Sequence, residues 1–184
     1  INPDLIVRRF MLGKRLPAMA VFINGMVDTD AINDFVLRDG MRKGSLDSAD
    51  GDVLKYIVEN VFTFCEVEIT PDWGKAKTAV LDGKTAVFFE NEDRAIVMDT
   101  RGYERRTVSA PQNEQTVKGP QEGFVENLRT NITLIRRIVR TDDLVCEFRN
   151  AGGDNNVKLA ILYREGVTNA TLVEEVKRRL AIVD

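Results

Sequence analysis

The sequence predicts an α/β protein of mixed α+β type, in which two small lobes, each a mixed β-sheet with flanking helices, are separated by a cleft. Stretches with the alternation of strands and stretches with the apolar spacing of helices follow one another along the 184 residues. Short segments rich in Gly, Pro, Asn and Asp separate them. The two ends of the chain also share one plan, and this predicts how the lobes divide.

The strands are predicted from short apolar or alternating runs that are bounded by turn residues. "LGKRLP" connects the first two strands, and a tight turn at Asn91–Asp93 connects another pair. Residues 104–110 ("ERRTVSA") are a further candidate. In chain order, the predicted strands are 5–12, 18–23, 65–70, 85–91, 94–100, 144–150 and 157–165.

The helices are predicted where apolar residues recur every three or four positions. Asp28 or Thr29 is the expected N-cap of the first helix, and residues 39–52, rich in Gly, Ser and Asp, are expected to be a loop. Thr171 and Glu174 form a capping box for the last helix. In order, the predicted helices are 30–38, 52–62, 71–83, 123–140 and 171–183.

The two ends of the chain each read strand, polar turn, strand, glycine, cap and helix. Gly25 and Gly166 occupy matching places, with Asp28 and Asn169 three residues further on. There are two explanations for this likeness. Any two units made of a hairpin and a helix share such a plan. Alternatively, the two ends of the chain pair in one four-stranded sheet. The second alternative predicts one lobe from 1–65 with 141–184 and another from 66–140. A site is then expected between the lobes.

The amino-acid composition excludes some classes of protein. Hydrophobic residues make up 43%, charged residues 30% and the net charge is -3, which argues against a nucleic-acid binder. No apolar run approaches the ~20 residues of a membrane span, and no signal peptide is visible. Since the chain begins with Ile1 rather than Met, we expect a piece of a longer protein.

Histidine is absent and there are two cysteines, Cys65 and Cys146. The commonest general base and the commonest metal ligand are therefore missing, and we expect neither a zinc site nor a cofactor. Both cysteines lie in apolar, strand-like segments, which favours buried free thiols over a disulfide. No nucleophile, phosphate-loop or dinucleotide motif is present, so an enzyme is not predicted.

Residues 111–131, "PQNEQTVKGPQEGFVENLRTN", lead into the fourth predicted helix. Phe124 and Leu128 begin its expected core face, whereas Asn127 and Asn131 share another face and can bridge to a ligand or to a neighbouring loop. Pro120 suits a first turn, where free amides bind an anion or are capped internally by acidic side chains.

Four arginine pairs stand at 8–9, 105–106, 136–137 and 178–179. Neighbouring residues of a strand point to opposite faces, so one member of each of the first two pairs can turn toward a carboxylate in the cleft. The alternative is a solvated surface with ion pairs of little worth.

Taken together, these segments resemble the GerA family of spore germination proteins, the A subunits of nutrient germinant receptors. The resemblance covers almost the whole chain, including "VRRF", "FINGMVD", "LDGKTAVFF", "RGYERR" and "VKRRL". Its most specific part lies in and after the 111–131 stretch, in Pro111, Glu114, Lys118, Gly119, Pro120, Glu122, Gly123, Phe124, Glu126, Asn131, Leu134, Ile135, Arg136 and Arg137.

The resemblance implies the N-terminal soluble, cytosol-facing portion of a receptor that lies in the spore inner membrane with B and C subunits. One hypothesis is a non-catalytic sensing domain that binds an amino acid, a sugar or an ion between its lobes. The other is an assembly and transduction module that contacts other subunits while nutrient binds elsewhere. The candidate ligand contacts are Arg9, Asn24, Arg105, Arg106, Glu114, Lys118, Glu122, Glu126, Asn127 and Asn131.

Overall fold

The computed structural model describes residues 2–43, 51–102, 123–151 and 157–182. The chain divides into two compact units. We call Leu5–Glu104 the sheet unit, and Ile1–Asp4 together with Arg105–Asp184 the hairpin unit. The candidate strand at 104–110 lies outside the described residues.

The seven strands predicted within the described ranges are all present. They are β1 (Leu5–Leu12), β2 (Leu16–Ile23), β3 (Val67–Thr70), β4 (Thr85–Phe89), β5 (Ala95–Met98), β6 (Leu144–Ala151) and β7 (Val157–Arg164).

The helices also fall where the apolar spacing predicts them; the first continues beyond its predicted end at residue 38, and the others are shorter than predicted. They are α1 (Thr29–Ala31), which continues through a π-helical segment (Ile32–Arg38) into α2 (Asp39–Lys43), then α3 (Val53–Asn60), α4 (Trp73–Leu81), α5 (Leu128–Ile138) and α6 (Ala170–Leu180).

Part of the loop predicted at 39–52 is helical, and this prediction was wrong for α2. A Cβ on Gly40 would lie 3.4 Å from the Phe10 ring and 3.5 Å from Leu12, which is ordinary van der Waals contact, so this position lies in a helix packed on β1 and not in a turn. The Gly40 carbonyl also accepts a hydrogen bond of 2.9 Å from the Gly13 amide.

The sheet unit is a five-stranded antiparallel sheet in the order β1-β2-β4-β5-β3. Its first face, which includes Phe10, Leu12 and Ile96, packs against the helices from α1 to α3 in one buried cluster. Its second face packs against α4 through Ala76 and Val80. Alternating side chains therefore serve two separate cores, one on each side of the sheet.

The hairpin unit contains a two-stranded sheet, with β6 and β7 paired from Leu144↔Arg164 to Ala151↔Val157. The N-terminal residues are fixed to β6, because the Cys146 amide donates to Asn2 Oδ1 at 2.8 Å and Asn2 Nδ2 donates to the Leu144 carbonyl at 3.0 Å. Arg136 of α5 forms a buried bidentate ion pair with Asp4. Asn2 and Asp4, at the start of the chain, are thus bonded to this unit.

The units have boundaries that differ from the predicted lobes, 1–65 with 141–184 and 66–140. Within the described residues the two ends do not share a sheet, since β2 pairs with β4 from Ala18↔Phe89 to Val21↔Ala86, and β6 pairs with β7. The physical reason is that β2 is apolar on both faces, which is typical of a central strand covered on both sides. With β1 on one edge, β4 from the middle of the chain pairs with the other edge.

The shared plan of the two ends is nevertheless present as local structure. Both hairpins pair over eight residues. Gly25 (φ 88°) and Gly166 (φ 74°) take left-handed backbone conformations, and Asp28 and Asn169 cap the next helices.

Both cysteines are free thiols, but only Cys146 is buried as predicted. Burial, and then the nearby Asp4 carboxylate, raise the pKa of the Cys146 thiol to about 11. Cys65 is exposed, because β3 begins two residues later, at Val67. Within the described ranges, no helix is long and apolar enough to cross a membrane.

A charged cluster holds α6 on the hairpin. Glu147 Oε1 accepts a hydrogen bond of 2.6 Å from the Tyr163 hydroxyl and lies 2.9 Å from Lys177 Nζ. The hydrogen bond from Tyr163, followed by that from Lys177, lowers the pKa of Glu147 to about 2 from its ordinary value near 4.5. The carboxylate is therefore held in its charged form by groups from β7 and α6.

We predict that this cluster makes stability dependent on pH. Because the pKa of Glu147 is depressed in the folded state, its contribution is complete above about pH 4.5 and is lost as the pH falls toward about 2. The free energy of unfolding of Glu147→Gln, measured by urea denaturation from neutral pH down to acid, is expected to decline less steeply than that of the wild type. Parallel curves for the two proteins would contradict the prediction.

Candidate functional site

The second face of the five-stranded sheet is only partly covered. The helix α4 packs mainly against β2, β4, β5 and β3. On β1, Val7 and Met11 remain 48% and 43% exposed on this face. The short helix thus leaves the β1–β2 end of the sheet open.

This opening is a groove of about 600 Å³. Cross-strand register places Arg9 opposite Met19, and Met19 opposite Phe88, in one row across β1, β2 and β4. The next row contains Met11 and Pro17, which are paired. Glu90 continues that row, since its amide donates to the Pro17 carbonyl at 3.0 Å. The floor of the groove is therefore a regular patch of apolar side chains with two charged residues.

Trp73 forms a wall of the groove. Its ring stacks on Phe88, with centroids 4.9 Å apart and planes inclined by 19°, and yet 61% of the residue is exposed. The Asp72 carboxylate fixes where α4 begins by accepting hydrogen bonds from the Gly74 and Lys75 amides at 2.8 and 3.2 Å. Since Trp73 is the first residue of α4, this cap also positions the indole at the groove.

The two charged side chains of the groove, Arg9 and Glu90, are not paired with each other. Arg9 and Glu90 both line it, and neither forms an ion pair within the described residues. The groove presents aromatic and thioether side chains together with the positive charge of Arg9 and the negative charge of Glu90. Such a surface is suited to binding a ligand or a partner. Among the described residues, no group of three acidic or cysteine side chains is placed to hold a metal ion.

Of the ten residues predicted to contact a ligand, five are described. Arg9 lies on the groove. Asn24 is half-buried in the turn after β2, while Glu126 is exposed before α5. The other two, Asn127 and Asn131, belong to the hairpin unit. The remaining five, Arg105, Arg106, Glu114, Lys118 and Glu122, lie outside the described residues.

Asn127 and Asn131 bond to the backbone around the start of α5. Asn127 Oδ1 accepts hydrogen bonds from the Arg129 and Thr130 amides at 2.9 and 3.3 Å. Asn131 Oδ1 accepts from the Val125 amide at 2.8 Å, and its Nδ2 donates to the Val125 carbonyl at 2.7 Å. The bridge to a neighbouring segment is thus present, and the role of these two side chains in ligand binding stays a prediction.

The cap at Asn127 also corrects the helix predicted at 123–140. Since α5 begins at Leu128, the amides of Gly123 and Phe124 precede its first turn, and Phe124 is 72% exposed rather than part of a core. Leu134 is buried. The helix starts later because an asparagine side chain satisfies the first free amides.

We predict that Asn127→Ala lowers the free energy of unfolding by about 1 kcal/mol, since it removes the acceptor for two amides at the start of a helix. Asn127→Asp keeps that acceptor and is expected to remain close to the wild type. Chemical denaturation followed by circular dichroism measures both changes. Equal stability of the alanine variant and the wild type would contradict the role of the cap.

Comparison with known proteins assigns the chain to a protein family. The family model for Bacillus/Clostridium GerA spore germination proteins matches residues 1–184. This chain belongs to the GerA family. The family resemblance carried by "RGYERR" and by the segment from Pro111 to Arg137 is therefore confirmed.

Curated relatives agree with the assignment to the GerA family. The chain is 27% identical over 185 residues to spore germination protein KA of Bacillus subtilis, covering 100% of this chain and 34% of that protein. It is 32% identical over 167 residues to stage V sporulation protein AF of the same species, covering 89% of this chain and 33% of that protein. The chain thus spans about a third of the length of these relatives.

A solved structure shares the fold of this GerA chain. It is the N-terminal domain of the A subunit of the Bacillus megaterium spore germinant receptor GerK3, with a TM-score of 0.77 and 24% identity. The match covers 100% of this chain and 66% of that one.

Of the residues that line the groove of this GerA chain, Arg9 was predicted from the sequence as a ligand contact and the others were not. Met19 and Phe88 sit in strands that are apolar on both faces, so alternation does not mark the open side. Trp73 has the helical spacing of Ala76 and Val80 and would be counted as core. Their exposure depends on which strands α4 covers, and this is decided by tertiary packing.

Proposed function

We propose that this chain is an assembly and transduction module of a spore germinant receptor A subunit. It has no catalytic role, and it contacts another receptor subunit through the open groove of its sheet unit. The whole protein lies in the spore inner membrane, and this part stands on the cytosolic side. Contact at the groove then couples the state of one subunit to that of its neighbour.

The observation that carries this proposal is the exposed Trp73 on an apolar floor. Tryptophan, methionine and arginine are enriched at the centres of protein interfaces and often dominate their binding energy. Here Trp73 is 61% exposed and Met11 is 43% exposed, beside Arg9. A receptor context is supported by one relative that is named a spore germination protein and by the matched fold, which is that of a receptor A subunit.

The test uses the full-length protein in spore membranes. Trp73→Ala is expected to weaken recovery of the other receptor subunits by about tenfold after affinity purification from detergent extracts, as for the loss of a central aromatic contact. Val167→Ala is the matched control, because Val167 is 67% exposed but lies in the hairpin unit. Unchanged recovery with Trp73→Ala, at equal protein levels, would contradict the proposal.

A second candidate is binding of a small nutrient in the same groove. The volume of about 600 Å³ is within the range of small-molecule sites, and Arg9 is placed to hold a carboxylate. Titration of amino acids and sugars into the chain, followed by amide chemical shifts, tests this function. Shifts localised to the residues of the groove would support it, and their absence at millimolar ligand would exclude it.

A further inference from the structure

Arg9 and Glu90 stand at diagonal corners of the groove floor. Arg9 shares a row with Met19 and Phe88, and Glu90 ends the next row beside Pro17. Strands about 4.8 Å apart, and a step of two residues along the strand, separate the two Cα atoms by roughly 12 Å. Neither side chain forms an ion pair within the described residues, so each can pair with an opposite charge brought by a partner.

The space between these charges suits a polypeptide segment better than an enclosed molecule. Small-molecule sites bury most of their ligand, whereas Trp73 and Met11 leave this groove open to solvent. Three strands make a floor about 10 Å wide, which is close to the diameter of an α-helix with its side chains. The apolar floor then faces the apolar stripe of such a helix.

Resting on the function proposed above, we propose that the groove binds an amphipathic helix of a partner protein, in which apolar side chains lie between an acidic residue that pairs with Arg9 and a basic residue that pairs with Glu90. At a rise of 1.5 Å per residue, the separation of roughly 12 Å corresponds to about eight residues, or two helical turns. The partner helix therefore carries its two charges about two turns apart, on the edges of its apolar stripe.

The fluorescence of Trp73 can be used to measure binding at the groove. Trp73 is the single tryptophan of the sequence and forms a wall of the groove, so its emission shifts when the groove is covered. The probe is an alanine-based helical peptide without tryptophan, with leucines on one face and a glutamate and a lysine two turns apart. A second peptide has lysine at both charged positions.

At low salt the wild-type chain is expected to bind the glutamate–lysine peptide about tenfold more tightly than the peptide with two lysines, because the second brings a like charge to Arg9. Arg9→Glu is expected to reverse this preference. Arg8→Glu is the matched control, since Arg8 is the exposed neighbour on β1 and points to the other face. Glu90→Lys provides a second charge reversal, for which a peptide with two glutamates becomes the preferred probe.

Three results would overturn the inference. They are no Trp73 shift with the glutamate–lysine peptide at millimolar concentration, equal effects of Arg9→Glu and Arg8→Glu in folded proteins, and self-association that covers the groove with a second copy. The proposed function fails separately. If Trp73→Ala lowers recovery of receptor subunits while the peptides do not bind, the groove is an interface but its partner is not this kind of helix. If the peptides bind but recovery is unchanged, the proposed function is wrong.

Discussion

Replacing Arg136 with alanine is expected to lower the free energy of unfolding by about 3–5 kcal/mol, since the change leaves the charge of Asp4 buried without a partner. The two side chains are 4% and 7% exposed. Arg136 Nε and Nη2 donate to the Asp4 carboxylate at 2.7 and 3.0 Å, and Nη1 donates to the Leu144 carbonyl at 2.9 Å. One guanidinium thus joins α5, β6 and the start of the chain.

Thermal unfolding followed by circular dichroism measures this effect, and the midpoint of Arg136→Ala is expected to fall by more than about 10 °C. Arg129→Ala is the control, because Arg129 is an exposed residue of the same helix. The double variant Asp4→Leu/Arg136→Met is expected to lose less stability than Arg136→Ala alone, because no buried charge remains unpaired. A single variant as stable as the control would show that the ion pair is not needed.

The second large effect is expected for Gly102→Ala. A Cβ added to Gly102 would lie 2.4 Å from Asp28 Cβ and 2.6 Å from the Asp28 backbone nitrogen. The two segments cannot separate easily, because the Asp28 amide donates to the Thr100 carbonyl at 2.8 Å and Val27 bridges Arg101. We expect a loss of about 2–3 kcal/mol from overpacking against backbone atoms.

Gly40→Ala is the matched control for this substitution. Its added Cβ would meet side-chain carbons of Phe10, Leu12 and Phe62 at 3.4–3.5 Å, which is ordinary contact. Because Gly40 lies in a helix, alanine there is expected to be neutral or to stabilise by up to about 1 kcal/mol. Urea denaturation of both variants measures their free energies of unfolding. Equal values would contradict the steric role of Gly102. Close packing against Asp28 is thus sufficient to explain why a glycine, Gly102, stands in the "RGYERR" segment.

Local elements were largely predictable from the sequence. The eight residues of β1 and the caps at Asp28 and Asn169 follow from short-range rules, since alternation and capping act within a few residues. The capping box predicted at Thr171 and Glu174 was wrong, because Asn169 is the cap and Thr171 lies inside α6. Helix boundaries were less predictable at α2 and α5. Gly40 lies in α2, which packs against side chains of β1, so tertiary packing outweighs the low helix propensity of glycine there. The helix α5 begins at Leu128 because the Asn127 side chain caps it.

The candidate site was predicted only in part. Arg9 was selected because one member of an arginine pair must face each side of a strand, and it does line the groove. Trp73 and Phe88 gave no such signal, because an aromatic residue on an apolar face has the same spacing whether it is buried or open. Asn127 and Asn131 were predicted as ligand contacts, and that role stays a prediction; in the structure they bond to backbone groups of the same segment.

By itself, the sequence determined the α/β class, the seven strands of the described ranges, the absence of histidine chemistry and the membership of the GerA family. Only the tertiary structure decided that β2 pairs with β4, that Asp4 pairs with Arg136, and that α4 stops short of β1. The reason is that periodicity and capping are fixed by neighbours along the chain. Strand order, buried ion pairs and open faces depend instead on groups that are distant in sequence, and their energies exist only once the elements have packed.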